Sequence, residues 1–342
     1  MKKGSILPLL ESFFTTYLPS SKGASNNTLE VYQYAFKLLF AYFSEEKGIQ
    51  PDKVTFELLG RGAVEGFLSY LEERRHCTVK TRNLRRAALM SFAKYAANRD
   101  FSLSMPFYTA MIKTPKKKEP KKSSIKYFTK EETSIILSAP DTSTLTGQRD
   151  ITLLSVLYAT GARAQELCDI KVKDITFSVP AKVKLTGKGN KSRVVTIPNN
   201  CTTLLRGYMK SRGLCLNDPD FQNRHLFSSR TNEHMSISCV EGIVKKYLAK
   251  CRVEHPDKFL ETGYSPHSFR HSIAVHMLEA GDSLVTIKAF LGHASIVTTT
   301  IYARVTPELA NKYLDERGTP IAERSMETSP RPLAQALPFL YK

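Results

Sequence analysis

The sequence predicts a mainly α-helical protein with one small β-hairpin, an α+β fold class, divided into two domains. Three observations predict this fold. The length of 342 residues is more than one domain usually needs. Lysines and prolines interrupt the chain at residues 113–122. Hydrophobic residues recur at helical spacing on both sides of that interruption, and period-two alternation is confined to residues 182–198.

The N-terminal domain, residues 1–112, opens with an amphipathic helix in "SNNTLEVYQYAFKLLFAYFSEEKG". Asn27 is the expected N-cap, because Glu30 follows three residues later as in a capping box. Gly48 is the expected end of this helix. The residues expected to form its buried stripe are Val31, Tyr34, Leu38 and Tyr42.

A second helix of this domain, "TVKTRNLRRAALMSFAKYAANRDF", combines an apolar face with a basic first half. The core face is expected to hold Leu84, Ala88, Phe92 and Tyr95. The basic residues, placed on other faces, are Lys80, Arg82, Arg85 and Arg86. No acidic residue occurs between Val79 and Arg99 to pair with them along the helix. This stripe predicts contact with nucleic acid, with a merely solvated face as the alternative.

The segment 113–126 is predicted to be a basic linker. Its stretch "KTPKKKEPKK" has two prolines that prevent a helix and a lysine excess that prevents burial. The lysines that could follow a phosphate backbone are Lys116, Lys117, Lys118, Lys121 and Lys122. A solvated tether without a binding role is the simpler interpretation.

The overall charge points to a polyanionic partner. Fifty lysines and arginines against 32 acidic residues give a net charge of +18, which favours nucleic acid. An anionic membrane surface would require a lipid anchor or an insertion helix, and the sequence shows neither. The six scattered cysteines form no C-x-x-C pair, so the reducing cytoplasm is the expected location.

The C-terminal domain is expected to span residues 127–316. A helix should begin after Thr129, and "RDITLLSVLYATGARAQELCDI" should form two helices separated by a glycine break. "KVKLTGKGNKSRVVTIP" predicts a β-hairpin. Helical periodicity then returns as far as Tyr302. The tail, residues 317–342, ends in the apolar "LAQALPFL", which suggests docking on a neighbouring protomer.

Arg163 and Lys188 are the first candidates for an anion site. Arg163 follows the glycine break at the start of a helix, where a guanidinium suits a phosphate. Lys188 lies in the hairpin turn, which fits neither a P-loop nor, with Ser192, the dinucleotide-binding fingerprint. Between two glycines it could serve as a point-charge donor. The simpler alternatives are a solvated lysine and an Arg163 paired with Glu166.

His267 and Arg270 form an H-x-x-R motif on one helix face. His271 adds a histidine four residues after His267, but Ser268 replaces the glutamate of a zinc-protease helix. No metal is therefore expected. His271 and His276 are interpreted as structural residues.

His293 and Tyr302 lie nine residues apart in "LGHASIVTTTIYARV". Ser295 is the expected cap of the helix that carries Tyr302. A buried tyrosine with a satisfied hydroxyl is the structural alternative. Combined with the arginines, however, these residues suit a metal-free attack on phosphorus. Arginines neutralise a phosphate, a tyrosine forms a covalent ester and a lysine protonates the departing oxygen.

These stretches together resemble the signature boxes of the tyrosine recombinases, the phage-integrase and Xer-type family. "ATGARAQEL" resembles the first arginine box, "GKGNKSR" the lysine hairpin, "HSFRHSIAVHML" the H-x-x-R box and "LGHASIVTTTIYARV" the His-to-Tyr segment. All six expected positions are filled in order. Ala162 and Gln165 depart from the commoner residues and affect local packing alone.

The resemblance implies a role for each catalytic residue. Arg163 and Arg270 would hold the non-bridging oxygens of the scissile phosphate. Tyr302 would attack it to give a 3′-phosphotyrosine and a free 5′-hydroxyl, with Lys188 as the general acid. His267 would assist proton transfer at Tyr302. No cofactor would be needed, because the ester keeps the bond energy.

The resemblance also implies an assembly. His293 would hydrogen-bond the phosphate and Glu166 would brace the site. The helical core-binding domain and the catalytic domain would close on double-stranded DNA as a C-shaped clamp. A homotetramer would exchange strands at specific recombination sites through a Holliday junction, with or without accessory recombination proteins.

Integration or transposition of a mobile element is the preferred biological task. The alternatives are Xer-type dimer resolution, relaxation of DNA by a topoisomerase-like activity and a non-catalytic DNA-binding protein.

Overall fold

The computed structural model describes residues 4–119, 125–229, 231–293 and 295–303, with the side chains of Lys188 and Ala303 excepted. The chain separates into two compact units, Met1–Lys122 and Ser123–Lys342, so the division falls within the predicted linker. Each unit has its own buried apolar cluster. Helices dominate both units and one small sheet lies in the second, which confirms the predicted fold class.

The described part of the N-terminal unit is helical, apart from its connecting segments and one isolated β-bridge between Ser5 and Thr55. Wider π-helical turns at Phe13–Ser21 continue the first helix. Two short 3₁₀ turns, Pro51–Lys53 and Glu57–Leu59, precede the α-helix that begins at Arg61. The α-helices are α1 (Leu7–Ser12), α2 (Asn26–Lys47), α3 (Arg61–Glu73), α4 (Val79–Arg99) and α5 (Phe101–Lys113).

Helix α2 begins two residues earlier than predicted and buries a shifted face. Its N-cap is Ser25 rather than Asn27, whereas Gly48 ends it in the left-handed conformation as predicted, with φ of 64°. Tyr34 is 51% exposed and Leu84 of α4 is 45% exposed, so their predicted core positions are wrong. The two helices instead bury other apolar residues, such as Phe36 of α2 and Leu89 of α4, in the cluster of the N-terminal unit.

The basic half of α4 does not lie wholly on the surface. Arg86 is only 7% exposed, and its Nε and Nη2 donate to the carbonyls of Thr114 and Met111, at 2.6 and 2.8 Å. Arg85 lies over the ring of Tyr34 at 4.7 Å. The predicted surface position of Arg86 is therefore wrong: its donors satisfy carbonyls at the C-terminal end of α5, which a helix leaves without internal partners. Lys80 is exposed as predicted.

Two further contacts fix the start of the predicted linker to the N-terminal unit. The Asn83 side chain donates to the Lys117 carbonyl at 2.9 Å and accepts from the Lys117 N–H at 3.1 Å. The Nζ of Lys117 lies 3.0 Å from Glu72, a residue that also lies 3.6 Å from Arg82. The lysines Lys116 and Lys118 are exposed. Lys121 and Lys122 lie outside the described residues.

The C-terminal unit is helical around a three-stranded sheet. Its α-helices are α6 (Lys130–Ser138), α7 (Leu145–Thr160), α8 (Ala164–Cys168), α9 (Asn199–Ser211), α10 (Pro219–Gln222), α11 (Ile237–Glu254), α12 (Pro266–Glu279), α13 (Leu284–Leu291) and α14 (Thr300–Ala303). The predicted helix start after Thr129 is confirmed, and a capping box forms it: Thr129 accepts from the Glu132 N–H, and the Glu132 carboxylate accepts from the Thr129 N–H. The predicted tail, residues 317–342, lies outside the described residues.

The sheet contains the predicted hairpin and one additional strand. Strands β1 (Ile175–Thr176), β2 (Lys182–Thr186) and β3 (Ser192–Thr196) are antiparallel in that order. The hairpin register places Leu185 opposite Arg193. Strand β1 was not predicted, because two residues are too few to show an alternating pattern.

Among the described residues, no single helix has both the length and the apolar composition to cross a membrane. A bent pair, Leu284–Leu291 with Ile296–Tyr302, reaches that length and composition when its two halves are joined at 96°.

The buried position of Arg86 leads to a stability prediction. Arg86→Met should lower the free energy of unfolding by about 2 kcal/mol, because carbonyls of Met111 and Thr114 lose charged donors in a buried place. Chemical denaturation followed by circular dichroism measures this change. Lys94→Met, an exposed position of the same helix, should remain within about 0.5 kcal/mol of the unsubstituted protein. An Arg86→Met protein of unchanged stability and weakened DNA affinity would restore the surface interpretation.

Candidate active site

A tight turn between α7 and α8 presents Arg163. Gly161 ends α7 with φ of 56°, a conformation that favours glycine. A Cβ at this position would lie 2.8 Å from Leu291 and 3.1 Å from Phe290, so glycine also allows α13 to approach the turn. Arg163 then stands at the N-cap of α8 with its side chain 40% exposed.

The buried carboxylate of Glu166 holds Arg163 and a second arginine. Its Oε1 accepts from Arg163 Nη1 at 2.6 Å, and its Oε2 accepts from the Arg163 backbone N–H at 2.9 Å. Arg193 Nη2 also donates to Oε2, at 2.9 Å. Burial would raise the pKa of Glu166, but the hydrogen bonds from Arg193 and Arg163 outweigh it and lower that pKa to about 2. The carboxylate is therefore ionised at neutral pH and fixes the positions of both guanidinium groups, those of Arg163 and Arg193.

Arg193, on strand β3, is a residue that the sequence analysis did not single out. Besides Glu166, its Nε donates to the Phe290 carbonyl at 3.0 Å. One side chain thus joins the hairpin, helix α8 and the C-terminal end of α13. Its position in "GNKSR" marked the hairpin, but nothing local indicated an inward-facing arginine.

Arg270 is almost completely buried, at 1% exposure. Its Nη1 donates to the Gly161 carbonyl at 2.6 Å and its Nη2 to the Leu291 carbonyl at 2.8 Å. Burial, and then the positive charges of Arg163 and Arg193, lower its pKa to about 10. Arg270 therefore stays protonated at neutral pH and concentrates positive charge beside the turn that presents Arg163.

Two of the predicted histidines lie in the field of these arginines. Burial lowers the pKa of His267, and Arg270 and Arg163 lower it further. The same causes, in the same order, lower the pKa of His293 to about 4. His293 Nδ1 lies 2.9 Å from the Thr299 hydroxyl. Both imidazoles are therefore neutral at pH 7 and can accept or donate a hydrogen bond.

Tyr302 lies in α14, packed with Ala274, Val275, Ile287 and Leu291 in a small apolar cluster. It is 1% exposed, and its ring is nearly parallel to that of His293, with the centroids 6.5 Å apart. Burial raises its pKa, whereas the charges of Arg270 and Arg163 lower it. Ser295 caps the short 3₁₀ turn Ile296–Thr298 and not the helix of Tyr302, so the predicted cap position was wrong.

His271 contacts the Tyr302 hydroxyl directly. Its Nδ1 lies 3.0 Å from the tyrosine oxygen. This contact was not predicted, because His271 was interpreted from the sequence as a structural residue. His276, interpreted in the same way, does pack inside the unit, with Nδ1 2.8 Å from the Tyr158 hydroxyl. The i,i+4 spacing of His267 and His271 was the available signal, since it places both on one face of α12.

The remaining predicted site residue is Lys188, in the turn between β2 and β3. Its side chain is not described, so its proposed role stays a prediction. Beside Arg163 and Glu166 a cleft of about 610 Å³ opens toward this turn, lined also by Gly187 and Asn190. Within the described residues, no group of three or more His, Cys, Asp or Glu side chains could hold a metal ion.

Comparisons with known proteins place this site in a family. The model of the phage integrase family matches residues 126–308, and that of the phage integrase N-terminal SAM-like domain matches residues 12–100. A putative integrase/recombinase, y4rC of Sinorhizobium fredii, is 32% identical over 89% of this chain and 89% of its own length. Tyrosine recombinase XerD of Listeria monocytogenes is 30% identical over 87% of this chain and 94% of its own.

Solved structures share the fold. A XerH site-specific recombinase bound to a palindromic difH substrate aligns with a TM-score of 0.67 and 19% identity, over 90% of this chain and 88% of that one. The Tn1549 transposon integrase in complex with transposon right end DNA aligns with a TM-score of 0.65 and 15% identity, over 90% and 98%. The family-model match and the full-length relatives lead to one conclusion: the chain belongs to the phage integrase family and is a site-specific DNA recombinase of the tyrosine type.

Proposed function

We propose that this recombinase cuts and rejoins specific double-stranded DNA sites through a covalent 3′-phosphotyrosine formed by Tyr302. The observation that carries the proposal is the surroundings of Tyr302: a phenol in the field of Arg163 and Arg270, with His271 and His293 against its ring. A phenol among arginines suits attack on a phosphodiester, because the cations stabilise the charge that develops on its oxygens.

The two arginines would hold the scissile phosphate. Arg163 is half-exposed and uses Nη1 for Glu166, so further N–H groups of its guanidinium can reach a ligand. Arg270 supplies charge from a buried and fixed position. Glu166 would brace Arg163 in its orientation.

The proton transfers would involve the other predicted residues. Lys188 would protonate the departing 5′ oxygen. It lies in the turn between β2 and β3, where a glycine stands on each side of it. His293 would donate a hydrogen bond to the phosphate, and His267 would assist proton transfer at Tyr302. The lowered pKa values of both histidines are consistent with neutral imidazoles in these roles.

DNA contact outside the catalytic pocket would come from exposed cations of the N-terminal unit and linker. Lys80, Lys116 and Lys118 are exposed, and Lys121 and Lys122 belong to the same basic stretch. Arg82 and Arg85 are partly buried and could contribute at the edge of this surface. Arg86 is not part of this proposal, because its donors are bound to carbonyls. The C-shaped clamp belongs to the same proposal.

For the biological task we propose integration or transposition of a mobile element, through a homotetramer and a Holliday junction, in the cytoplasm at the nucleoid. The name of the S. fredii relative, a putative integrase/recombinase, supports this task. The XerD relative supports the second candidate, resolution of chromosome dimers. Recovery of the joined DNA from cells distinguishes the two: new junctions at dispersed targets support the first, and exchange between two identical sites supports the second.

The nucleophile is tested on a suicide substrate, in which cleavage releases a short 5′ fragment and traps the enzyme on DNA. Tyr302→Phe should bind this DNA as the unsubstituted protein does but trap none of it, because the attacking oxygen is gone. Denaturing gels measure the trapped complex and gel shift measures binding. A trapped complex with Tyr302→Phe would show that another residue is the nucleophile. Relaxation of plasmids without strand exchange would instead favour the topoisomerase-like activity.

The ionic contribution to DNA binding is tested by salt. With about six to ten phosphate contacts, affinity should fall by roughly 10³- to 10⁵-fold between 50 and 200 mM salt, because binding releases counterions. Lys80→Gln should reduce the slope of log affinity against log salt by about one unit. A slope near zero for the unsubstituted protein would contradict a binding mode based on phosphate contacts.

The brace at Glu166 predicts a pH-dependent contribution to stability. Its folded pKa of about 2 lies below the ordinary value of 4.5, so the stabilisation is fully present above pH 4.5 and is lost as the pH falls toward 2. Glu166→Gln should cost on the order of 3 kcal/mol in unfolding free energy at pH 7 and clearly less at pH 3. Denaturant titrations at both values measure the difference. An equal cost at both pH values would exclude the ionised carboxylate as the cause.

A further inference from the structure

We propose that His271 is a catalytic residue that accepts the proton of the Tyr302 hydroxyl when Tyr302 attacks the DNA phosphate. This inference rests on the proposed function, in which Tyr302 is the nucleophile. It assigns the direct acceptor to a residue that the H-x-x-R motif does not include, one position after its arginine, so that His267 would assist the transfer only through its ring contact with His271.

The contact between the two side chains is direct. His271 Nδ1 lies 3.0 Å from the Tyr302 oxygen, and the ring centroids are 5.7 Å apart at an angle of 59°. In the tautomer with its proton on Nε2, the imidazole presents a lone pair on Nδ1, to which the phenol can donate. A general base must lie within hydrogen-bond reach of the proton it takes, and His271 meets this requirement without any movement.

The other two histidines of the site are positioned for different partners. His293 Nδ1 is engaged with the Thr299 hydroxyl, and its ring lies parallel to that of Tyr302 rather than edge-on to the oxygen. His267 lies one helical turn before His271, with its ring centroid 5.4 Å from that of His271, in the field of Arg270 and Arg163. Helix α12 thus directs His267 toward the arginines and His271 toward the phenol.

The burial of Tyr302 favours an adjacent side chain as the proton acceptor. In this position the residue is shielded from solvent, and His271 Nδ1 is in contact with its hydroxyl. Burial also raises the pKa of the phenol, in opposition to Arg270 and Arg163. A base in contact with the oxygen allows the proton to leave as the oxygen–phosphorus bond forms, without a free phenolate as an intermediate.

In the cleavage step, the Tyr302 oxygen bonds to phosphorus and its proton passes to His271 Nδ1. The bond from phosphorus to the 5′ oxygen breaks, and that oxygen takes a proton from the general acid, Lys188 in the proposed function. In the rejoining step each proton returns: His271 gives its proton to the departing tyrosine oxygen, and the 5′-hydroxyl gives its proton to the general acid.

The experiment compares His271→Asn and His271→Ala on suicide substrates with an ordinary 5′ oxygen or with sulfur in its place. Asparagine keeps an acceptor oxygen near the Nδ1 position but cannot take a proton. Sulfur departs without protonation, so it should restore cleavage by Lys188→Ala. Both His271 variants should cleave roughly 10²- to 10⁴-fold more slowly than the unsubstituted protein, and sulfur should not restore them, because the defect lies at the nucleophile.

His276→Asn is the matched control, since it makes the same change in the same helix at another histidine that contacts a tyrosine hydroxyl. It should cleave both substrates at the rate of the unsubstituted protein. Equal slowing by His276→Asn would assign the loss to the packing of α12 and overturn the inference. Wild-type rates for His271→Asn, or its recovery with sulfur, would also overturn it.

The result separates this inference from the proposed function. If the unsubstituted protein traps neither substrate, or if Tyr302→Phe traps DNA, the proposed function fails and the role of His271 fails with it. If the unsubstituted protein traps DNA through Tyr302 and the His271 variants are as fast, the role of His271 alone is wrong.

Discussion

The arrangement of the site depends on one buried carboxylate, that of Glu166. It accepts hydrogen bonds from two arginines and one backbone N–H, and these contacts offset the cost of burying its charge. The same contacts determine where the arginine charges lie. Arg163 is directed outward from the start of α8, while Arg193 extends to the C-terminal end of α13. An apolar residue at position 166 would leave two cations without a buried partner.

The second consequence of this arrangement concerns helix α13. The last carbonyls of a helix have no partner within it, and here two arginines use neighbouring ones: Arg193 binds the Phe290 carbonyl and Arg270 binds the Leu291 carbonyl. These interactions fix the end of α13 immediately before His293. Arg270, one of the two arginines that would hold the phosphate, is thus also a residue that joins the helices of the unit, so its charge is fixed in place by the fold itself.

Features that depend on local chemistry, such as helix ends, could be predicted from the sequence. Buried faces and long-range contacts could not, because segments distant in the chain determine them. The end of α2 at Gly48 and the start of α6 after Thr129 follow from glycine conformation and from capping. The buried faces at Tyr34 and Leu84 were wrong, because the packing partner sets which face is covered. The missed contacts of Arg193 and His271 span 97 and 31 residues, and no local pattern encodes them.

The contacts of Asn83 and Arg86 change the length of the connection between the two units. Because Thr114 and Lys117 are fixed to α4 and α5, the first residues after α5 belong structurally to the N-terminal unit. In the proposed clamp, a shorter connector would give the C-terminal unit a higher effective concentration at a duplex that the N-terminal unit has bound, since that concentration falls with about the −3/2 power of connector length. Loosening Asn83 would therefore weaken bivalent binding without removing any contact to DNA.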